Sequence, residues 1–346
     1  MAATYAFKPS TLATALRTAL AANKVLMVKG APGIGKSDIV RAVAAEMNLA
    51  HEPCHDLRLS TMDPTDLSGF PRINDAGRAE YVPPVWAPLE DDPIPEGKAG
   101  WLIFLDEVSN ATPSMQAAAY KLILDRQVGG RRLHPAVRLV AAGNRIEDNA
   151  AAGRLGTALK SRLLHATLEA DVDDWVEWAF DNGISDKIIA FLRFRTELLH
   201  KFDPKSAEET FPCPRTWHFL NDLLAADPTT IQNPGLMAGT VGEGAATEFK
   251  SFVDLFNSLP DFNDILLNPG KTPVPEEPSL LYAVSTLVSR KMNKENLVAL
   301  IDYVERLPME FQVLTMTTAS RLDKQVNTTR SYITWAKKNA NTLFPA

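Results

Sequence analysis

The sequence is poor in cysteine and has no long apolar run. Its 346 residues include two cysteines, Cys54 and Cys213, which lie far apart and form no C-x-x-C pair. We therefore expect reduced thiols in a cytosolic compartment rather than a disulfide framework. No apolar stretch approaches the ~18 residues that a membrane-spanning helix needs, and the N-terminus lacks the basic start and apolar core of a secretion signal. These absences predict a soluble, cytoplasmic protein without a membrane segment.

The sequence also lacks a surplus of basic residues. It has 36 Lys and Arg against 42 Asp and Glu, which gives a formal net charge of -6. Proteins that neutralise many nucleic-acid phosphates usually carry a basic surplus, so the balance disfavours nucleic-acid binding without excluding a local basic stripe. Hydrophobic residues make up 45% and charged residues 23%, as in ordinary globular proteins. The length is sufficient for about two domains.

A glycine-rich loop follows the first strongly apolar segment, VLMV. Gly30, Gly35, Lys36 and Ser37 fill the pattern G-x-x-x-x-G-K-[ST]. Glycines let successive backbone N–H groups converge on phosphate oxygens, the lysine bridges the β- and γ-phosphates, and the serine hydroxyl joins the oxygen shell of Mg²⁺. The apolar segment before the loop and the amphipathic one after it supply the strand–loop–helix setting that this motif requires. The residues predicted to form the phosphate-binding loop are Gly30, Pro32, Gly33, Ile34, Gly35, Lys36 and Ser37.

Polar side chains follow two further apolar runs. WLIFL, which is typical of a strand buried on both faces, ends in Asp106 and Glu107, and the next predicted strand ends at Asn144. Because ligands of open α/β sheets bind at the carboxyl ends of the strands, we expect these groups to meet there. Asp106 and Ser37 are predicted to hold Mg²⁺, and Glu107 to polarise a water for attack on the γ-phosphate. Asn144 is predicted to orient that water or to contact the γ-phosphate.

Two arginines are predicted to stabilise charge on the transferring phosphate. Arg162 lies in GTALKSRLLH just before a strand-like segment, where it can reach the nucleotide of a neighbouring subunit. Arg215 begins a helix in FPCPRTWHF. Because the helix dipole disfavours a cation at that end, the position indicates an anion nearby.

In order and spacing, these motifs resemble those of AAA+ ATPases. The segments are GAPGIGKS, WLIFLDE, RLVAAGN, ALKSRL and CPRTW. Three more, DPTDLSGFPR, DRQVGG and GTVGEGAATEF, are most similar to the MoxR-like branch, and the resemblance covers residues 7–257. It implies ATP and Mg²⁺ as cofactors. It also implies Walker A roles for Lys36 and Ser37, Walker B roles for Asp106 and Glu107, sensor one for Asn144, the arginine finger for Arg162 and sensor two for Arg215.

The resemblance further implies a homo-oligomer, a hexameric ring with nucleotide at each interface. Arg162 would then act in trans, whereas Arg215 acts either in cis or in trans. Ser161 stands where members of this branch often have an aspartate, so Arg154 and Arg145 stay open as alternatives to Arg162.

The order of predicted elements indicates an α/β protein followed by helical domains. Strands alternate with helices up to residue 170, segment 74–95 is interpreted as an irregular surface insertion, and the strand signal disappears after residue 171. We predict a P-loop NTPase (AAA+) core in residues 1–170, in which helices cover a parallel sheet, an all-helical lid domain in 171–267, and a helical C-terminal appendage in 268–346. The resemblance places a helix-two insert at 72–86 and a hairpin at 127–134, both facing the ring pore.

These observations predict an ATP-hydrolysing ring ATPase of MoxR-like type that remodels or activates a protein partner. The resemblance implies that this partner carries a von Willebrand factor A-type domain, as is frequent in the family. Two alternatives stay open. The first is a DNA-processing AAA+ motor, a helicase or restriction-type translocase, and the second is a nucleotide-gated scaffold with little turnover.

Overall fold

A computed structural model describes residues 5–54, 56–148, 155–206 and 208–340. These residues form two compact units, the first containing 5–174 and 202–206 and the second containing 175–201 and 208–340. All the strands of the described ranges belong to the first unit. Within the same ranges, no helix combines the length and the apolar character needed to cross a membrane.

The first unit is built on a parallel sheet. Its strands are β1 (Ala6–Phe7), β2 (Leu26–Lys29), β3 (Leu49–Ala50), β4 (Asp56–Arg58), β5 (Phe70–Ile73), β6 (Ala79–Val82), β7 (Gly100–Asp106), β8 (Gln127–Val128), β9 (Arg131–Arg132), β10 (Val137–Gly143) and β11 (Leu164–Leu168). Across the main sheet the order is β1–β11–β2–β10–β7–β3, and β4 also pairs with β7. Every pairing in it is parallel, which places the carboxyl ends of these strands at one edge.

Helices cover both faces of this sheet. They are α1 (Pro9–Ala21), α2 (Lys36–Glu46), α3 (Pro64–Ser68), α4 (Pro113–Asp125) and α5 (Thr157–Lys160), and α6 (Val172–Asp181) begins in the same unit. Side chains alternate along β7: Leu102 and Phe104 join the core formed with α1 and α2, whereas Ile103 and Leu105 join the core that includes α4. The predicted α/β class, a parallel sheet covered by helices, is confirmed.

The two helices that follow the neighbouring strands β2 and β10 lie on opposite faces of the sheet. Val40 and Val43 of α2 belong to one apolar core, and Leu159 of α5 belongs to the other. Where adjacent parallel strands lead to opposite faces, a crevice opens beyond their carboxyl ends, and ligands bind there in α/β proteins. The fold therefore places a crevice beside the glycine-rich loop.

Two antiparallel hairpins accompany the sheet, β5 with β6 and β8 with β9. The second confirms the hairpin predicted at 127–134. The first shows that the expectation of an irregular segment at 74–95 is wrong at its start, because β6 lies there. Asn74 accepts hydrogen bonds at Oδ1 from the backbone N–H groups of Ala76 and Arg78, at 3.1 and 3.0 Å, and so fixes the turn.

Glycines let the two hairpins pack backbone against backbone. The N–H of Gly129 donates to the carbonyl of Ser68 at 3.0 Å. A Cβ atom on Gly129 would lie 2.7 Å from the nitrogen of Pro83, and one on Gly69 would lie 2.5 Å from the carbonyl oxygen of Val82. We call this contact between Gly69, Gly129 and Pro83 the glycine contact.

The described residues of the second unit form helices and the segments that connect them, with no strand among them. Apart from the end of α6, its helices are α7 (Asp186–Phe194), α8 (Pro214–Ala226), α9 (Pro234–Val241), α10 (Glu243–Phe256), α11 (Phe262–Leu267), α12 (Pro278–Lys291), α13 (Leu297–Val304), α14 (Met309–Leu322) and α15 (Arg330–Lys338). Helix α12 packs against α7 and α14, and Arg193 of α7 donates to Thr318 Oγ1 of α14 at 2.9 Å. The division into a lid and an appendage at residue 268 stays a prediction.

The glycine contact predicts unequal effects of two neighbouring substitutions. Gly129 and Gly130 both have positive φ, 57° and 77°, but a Cβ on Gly130 would meet nothing within 4 Å. Gly130→Ala is therefore expected to cost about 1–2 kcal/mol of left-handed strain. Gly129→Ala adds steric overlap with Pro83, so its free energy of unfolding is expected to fall by at least about 1 kcal/mol more than that of Gly130→Ala. Urea unfolding of both variants measures the difference, and equal losses would show that the hairpins are not tightly packed.

Candidate functional site

The glycine-rich loop leads from β2 directly into α2. Gly33 and Gly35 adopt φ of 73° and 94°, a region in which residues with a Cβ atom are strained. The N–H of Gly30 donates to the carbonyl of Gly143 at 3.3 Å, and a Cβ on Gly30 would lie 3.2 Å from the carbonyl oxygen of Leu168. The loop thus needs glycine for its own turn and for close contact with β10 and β11. Between these glycines lie Pro32, half-buried, and Ile34, which is buried.

Lys36, the first residue of α2, turns back over the loop. Its Nζ donates to the carbonyls of Gly30 and Ala31, at 2.8 and 3.0 Å, and to Oδ1 of Asn144 at 3.2 Å. The structure therefore brings together the predicted phosphate-binding lysine and the asparagine that ends β10. A triphosphate in this loop would offer charged oxygens to the same ammonium, and hydrogen bonds between charged groups are stronger than those to neutral carbonyls.

Ser37 and Asp106 meet at the same edge. The Ser37 hydroxyl donates to Asp106 Oδ2 at 3.4 Å, and both side chains are partly exposed. A hydroxyl and a carboxylate oxygen so placed fit Mg²⁺, which takes few protein ligands and completes its octahedron with water and phosphate oxygens. The described residues contain no group of three His, Cys, Asp or Glu that could hold a metal ion.

Glu107 follows Asp106 in a left-handed conformation, with φ 56° and ψ 32°. Its N–H donates to Asp106 Oδ1 at 2.8 Å, and its carboxylate accepts a hydrogen bond from the Ser60 hydroxyl. Left-handed backbone is uncommon for residues other than glycine and is found in active sites where the surroundings enforce it. The sequence did not indicate Ser60, because its approach depends on the pairing of β4 with β7, in which Arg58 lies opposite Asp106.

The hydroxyl of Ser109, which the sequence also did not indicate, contacts the backbone of Asn144. The N–H of Asn144 donates to Ser109 Oγ at 2.9 Å, and Ser109 is only 3% exposed. Ser109 belongs to a short 3₁₀ turn, Val108–Asn110, immediately after Glu107. In the sequence, only its position two residues after the acidic pair could have indicated Ser109. Serine is common in turns, so this position alone does not predict a functional role.

Arg162 and its alternative Arg145 have different surroundings. Arg162 is exposed, its guanidinium carbon lies 5.0 Å from the centroid of the Tyr120 ring, and it donates to Ser161 Oγ at 2.9 Å. Arg145, an alternative to it, donates two hydrogen bonds to the buried Asp148, at 2.6 and 2.7 Å. Those bonds raise the pKa of the Arg145 guanidinium above its ordinary value. Such an ion pair within its own chain disfavours Arg145 as a group for a neighbouring subunit.

The two other predicted arginines are Arg154 and Arg215. Arg154 lies outside the described residues. Arg215 is exposed near the start of α8 and belongs to the second unit. Its role stays a prediction.

Fold and site together define a P-loop nucleotide-binding protein. The model of the AAA domain family, dynein-related subfamily, matches residues 25–163. That range runs from the start of the glycine-rich loop's strand to just beyond Arg162. Residues 25–163 therefore form an AAA domain, which confirms the predicted resemblance to AAA+ ATPases and supports nucleotide binding.

Several solved structures are similar to this chain at low identity. NtrX from Brucella abortus is 16% identical, with 95% of this chain and 67% of that chain covered and a TM-score of 0.39. A mutant of RuvB from Thermotoga maritima is 16% identical, with 88% and 86% covered and a TM-score of 0.37. A putative ATPase from Cytophaga hutchinsonii is 13% identical, with 90% and 79% covered and a TM-score of 0.35. A comparison with curated proteins gave no match.

Nucleotide binding by this loop is tested with two lysines, Lys24 before β2 and Lys36 after the loop that follows it. Lys36→Met removes the ammonium over the loop and is expected to weaken ATP binding about tenfold to a hundredfold, because hydrogen bonds to charged groups are among the stronger ones. Lys24→Met removes an exposed lysine just before the strand and is expected to leave affinity unchanged. Titration calorimetry with ATP and magnesium measures both affinities. Equal affinities for the two variants would place the nucleotide elsewhere.

Proposed function

We propose that this protein hydrolyses ATP as a AAA+ ATPase of the MoxR-like type and uses the reaction to remodel or activate a protein partner. The observation that carries the proposal is the convergence of Lys36, Ser37, Asp106, Glu107 and Asn144 at one edge of a parallel sheet. Phosphoryl transfer requires a cation, a metal-binding pair, a base and a polar orienting group in that kind of arrangement.

Each residue has a distinct role in this proposal. Lys36 exchanges the loop carbonyls for oxygens of the β- and γ-phosphates. Ser37 and Asp106 would hold Mg²⁺, which would neutralise phosphate charge. Glu107 accepts the proton of the attacking water as general base. The Ser60 hydroxyl donates to one oxygen of this carboxylate, Oε2, and a carboxylate has a second oxygen that can accept the proton. Asn144 orients the water or contacts the γ-phosphate.

The exposure of Arg162 supports a shared site between subunits. Its guanidinium rests on the Tyr120 ring at the surface, where the nucleotide of a second chain can approach it. We therefore propose a homo-oligomeric ring, a hexamer, in which Arg162 acts in trans. Arg215 is proposed to act as sensor two, either in cis or in trans.

The partner is proposed to contact the two hairpins. Exposed apolar side chains on β5 and β6, Phe70 at 56%, Ile73 at 68% and Tyr81 at 55%, are unusual for a surface hairpin and are typical of protein interaction sites. A protein with a von Willebrand factor A-type domain is the proposed partner. The MoxR-like assignment is supported by DPTDLSGFPR, which contains α3 and most of β5, and by DRQVGG, which runs from the end of α4 through β8 into the turn of the second hairpin.

Turnover is tested with Glu107→Gln. This variant keeps the shape of the side chain but removes the base, so phosphate release is expected to fall about 100-fold while ATP affinity stays at the wild-type value. Glu46→Gln, at the exposed C-terminal end of α2, is the matched control. It is expected to keep the wild-type rate of phosphate release and the wild-type ATP affinity. A phosphate-release assay with and without DNA distinguishes the alternatives.

Three outcomes would contradict the proposal. Equal phosphate release from the wild type and Glu107→Gln would favour a nucleotide-gated scaffold. Salt-dependent stimulation by single- or double-stranded DNA would favour a DNA-processing motor. Absence of ATP binding by the wild type in excess magnesium would remove the basis for any ATPase.

The shared site is tested by mixing two inactive variants. Lys36→Ala subunits lack the loop cation but keep Arg162, and Arg162→Ala subunits keep the loop. A mixture is expected to recover part of the wild-type turnover, because some interfaces then combine an intact loop with an intact arginine. Each variant alone is the control. A mixture no more active than its components would show that Arg162 does not act between subunits.

A further inference from the structure

Ser109 lies where the loop after Asp106 and Glu107 meets the end of β10. Its hydroxyl accepts a hydrogen bond from the N–H of Asn144 at 2.9 Å and donates to Oδ1 of Asn110 at 3.3 Å. The residue is 3% exposed. This hydroxyl thus links the acidic pair's loop to the residue that contacts Lys36.

The sheet's own hydrogen bonds do not reach this point on the β7 side. Pairing between β7 and β10 ends with Leu105 opposite Ala141, whereas β10 continues to Gly143. The N–H of Asn144, which is a partly buried residue, therefore lies beyond the ladder with β7, and an N–H removed from water without an acceptor is costly. Ser109 supplies that acceptor, and it fixes the backbone of Asn144 relative to the strand that carries Asp106.

The space around the hydroxyl is tight. A Cβ atom on Gly143 would lie 2.6 Å from Ser109 Oγ and 2.9 Å from Met27 Cε. Glycine at 143 therefore allows the serine to approach the backbone of β10 closely. This contact therefore combines a small hydroxyl side chain at 109 with a glycine at 143.

We propose that Ser109 is a positioning residue for ATP hydrolysis, which holds Asn144 at a fixed distance from Asp106 and Glu107. The proposal rests on the proposed ATPase function. It predicts an effect on turnover rather than on nucleotide affinity, because Lys36 keeps the carbonyls of the loop as partners when Asn144 moves. Small displacements of an orienting group lower reaction rates strongly, since catalysis depends on aligned reacting atoms.

The test is Ser109→Ala, with Ser114→Ala as matched control. Ser114 is an exposed serine in the first turn of α4, and its hydroxyl contacts Thr112 Oγ1 at 3.0 Å. We expect kcat of Ser109→Ala to fall about tenfold while its ATP dissociation constant stays within about twofold of the wild type. Ser114→Ala is expected to change neither. Phosphate release at saturating ATP and calorimetry on the same folded samples give the two quantities.

Gly143→Ala provides a second route to the same displacement. Its added methyl group pushes the Ser109 hydroxyl away without removing it, and is expected to lower kcat with affinity retained. Combining both substitutions should lower kcat by less than the product of the single effects, because both act on one contact. If Ser109→Ala does not fold, Gly143→Ala alone decides the question by the same two measurements.

The outcomes separate this inference from the proposed function. A wild type without turnover removes the ATPase proposal itself. A wild type that turns over, beside Ser109→Ala with wild-type kcat, overturns only the role of Ser109. Loss of ATP affinity as large as the loss of kcat also overturns it, since Ser109 would then shape the binding loop.

Discussion

The hydrogen bonds of the Lys36 ammonium are the interaction on which the site depends. One side chain joins the carbonyls of Gly30 and Ala31 to the amide oxygen of Asn144, and so it connects the end of β2 to the end of β10. These acceptors are neutral oxygens, which hold the ammonium in place but bind it less strongly than phosphate oxygens would. The loop is therefore preorganised for an anion, because binding requires an exchange of partners rather than a new fold of the loop.

That arrangement exists because of the sheet. Parallel pairing brings the carboxyl ends of β2, β7 and β10 to one edge, and α2 and α5 leave this edge on opposite faces. The crevice between them receives Asp106, Glu107 and Asn144 from strands that are far apart in sequence. Nearly all of the buried side chains in these strands are apolar, so the polar groups are confined to the ends where a ligand can reach them.

The sequence predicted the elements whose signals are local. The loop, the WLIFL strand and Asn144 follow from glycine spacing and from apolar runs, and the structure places them together. Ser60 and Ser109 were missed because their roles depend on strand register and on a turn, which residue types alone do not reveal. The hairpin of β5 and β6 was missed because both of its faces are largely exposed, and so the alternation that marks a half-buried strand is absent.

Contacts within the first unit show how a change at the site can reach the exposed hairpins. Glu107 contacts Ser60, and a short stretch of chain leads from Ser60 through α3 to Ser68, whose carbonyl binds the N–H of Gly129. At the glycine contact the two hairpins pack closely, since Gly129 lies directly against Pro83. A displacement of Ser60 is therefore expected to reach the second hairpin through Ser68 and Gly129. A partner bound to the exposed apolar side chains of β5 and β6 would therefore contact a hairpin that is packed against the second one.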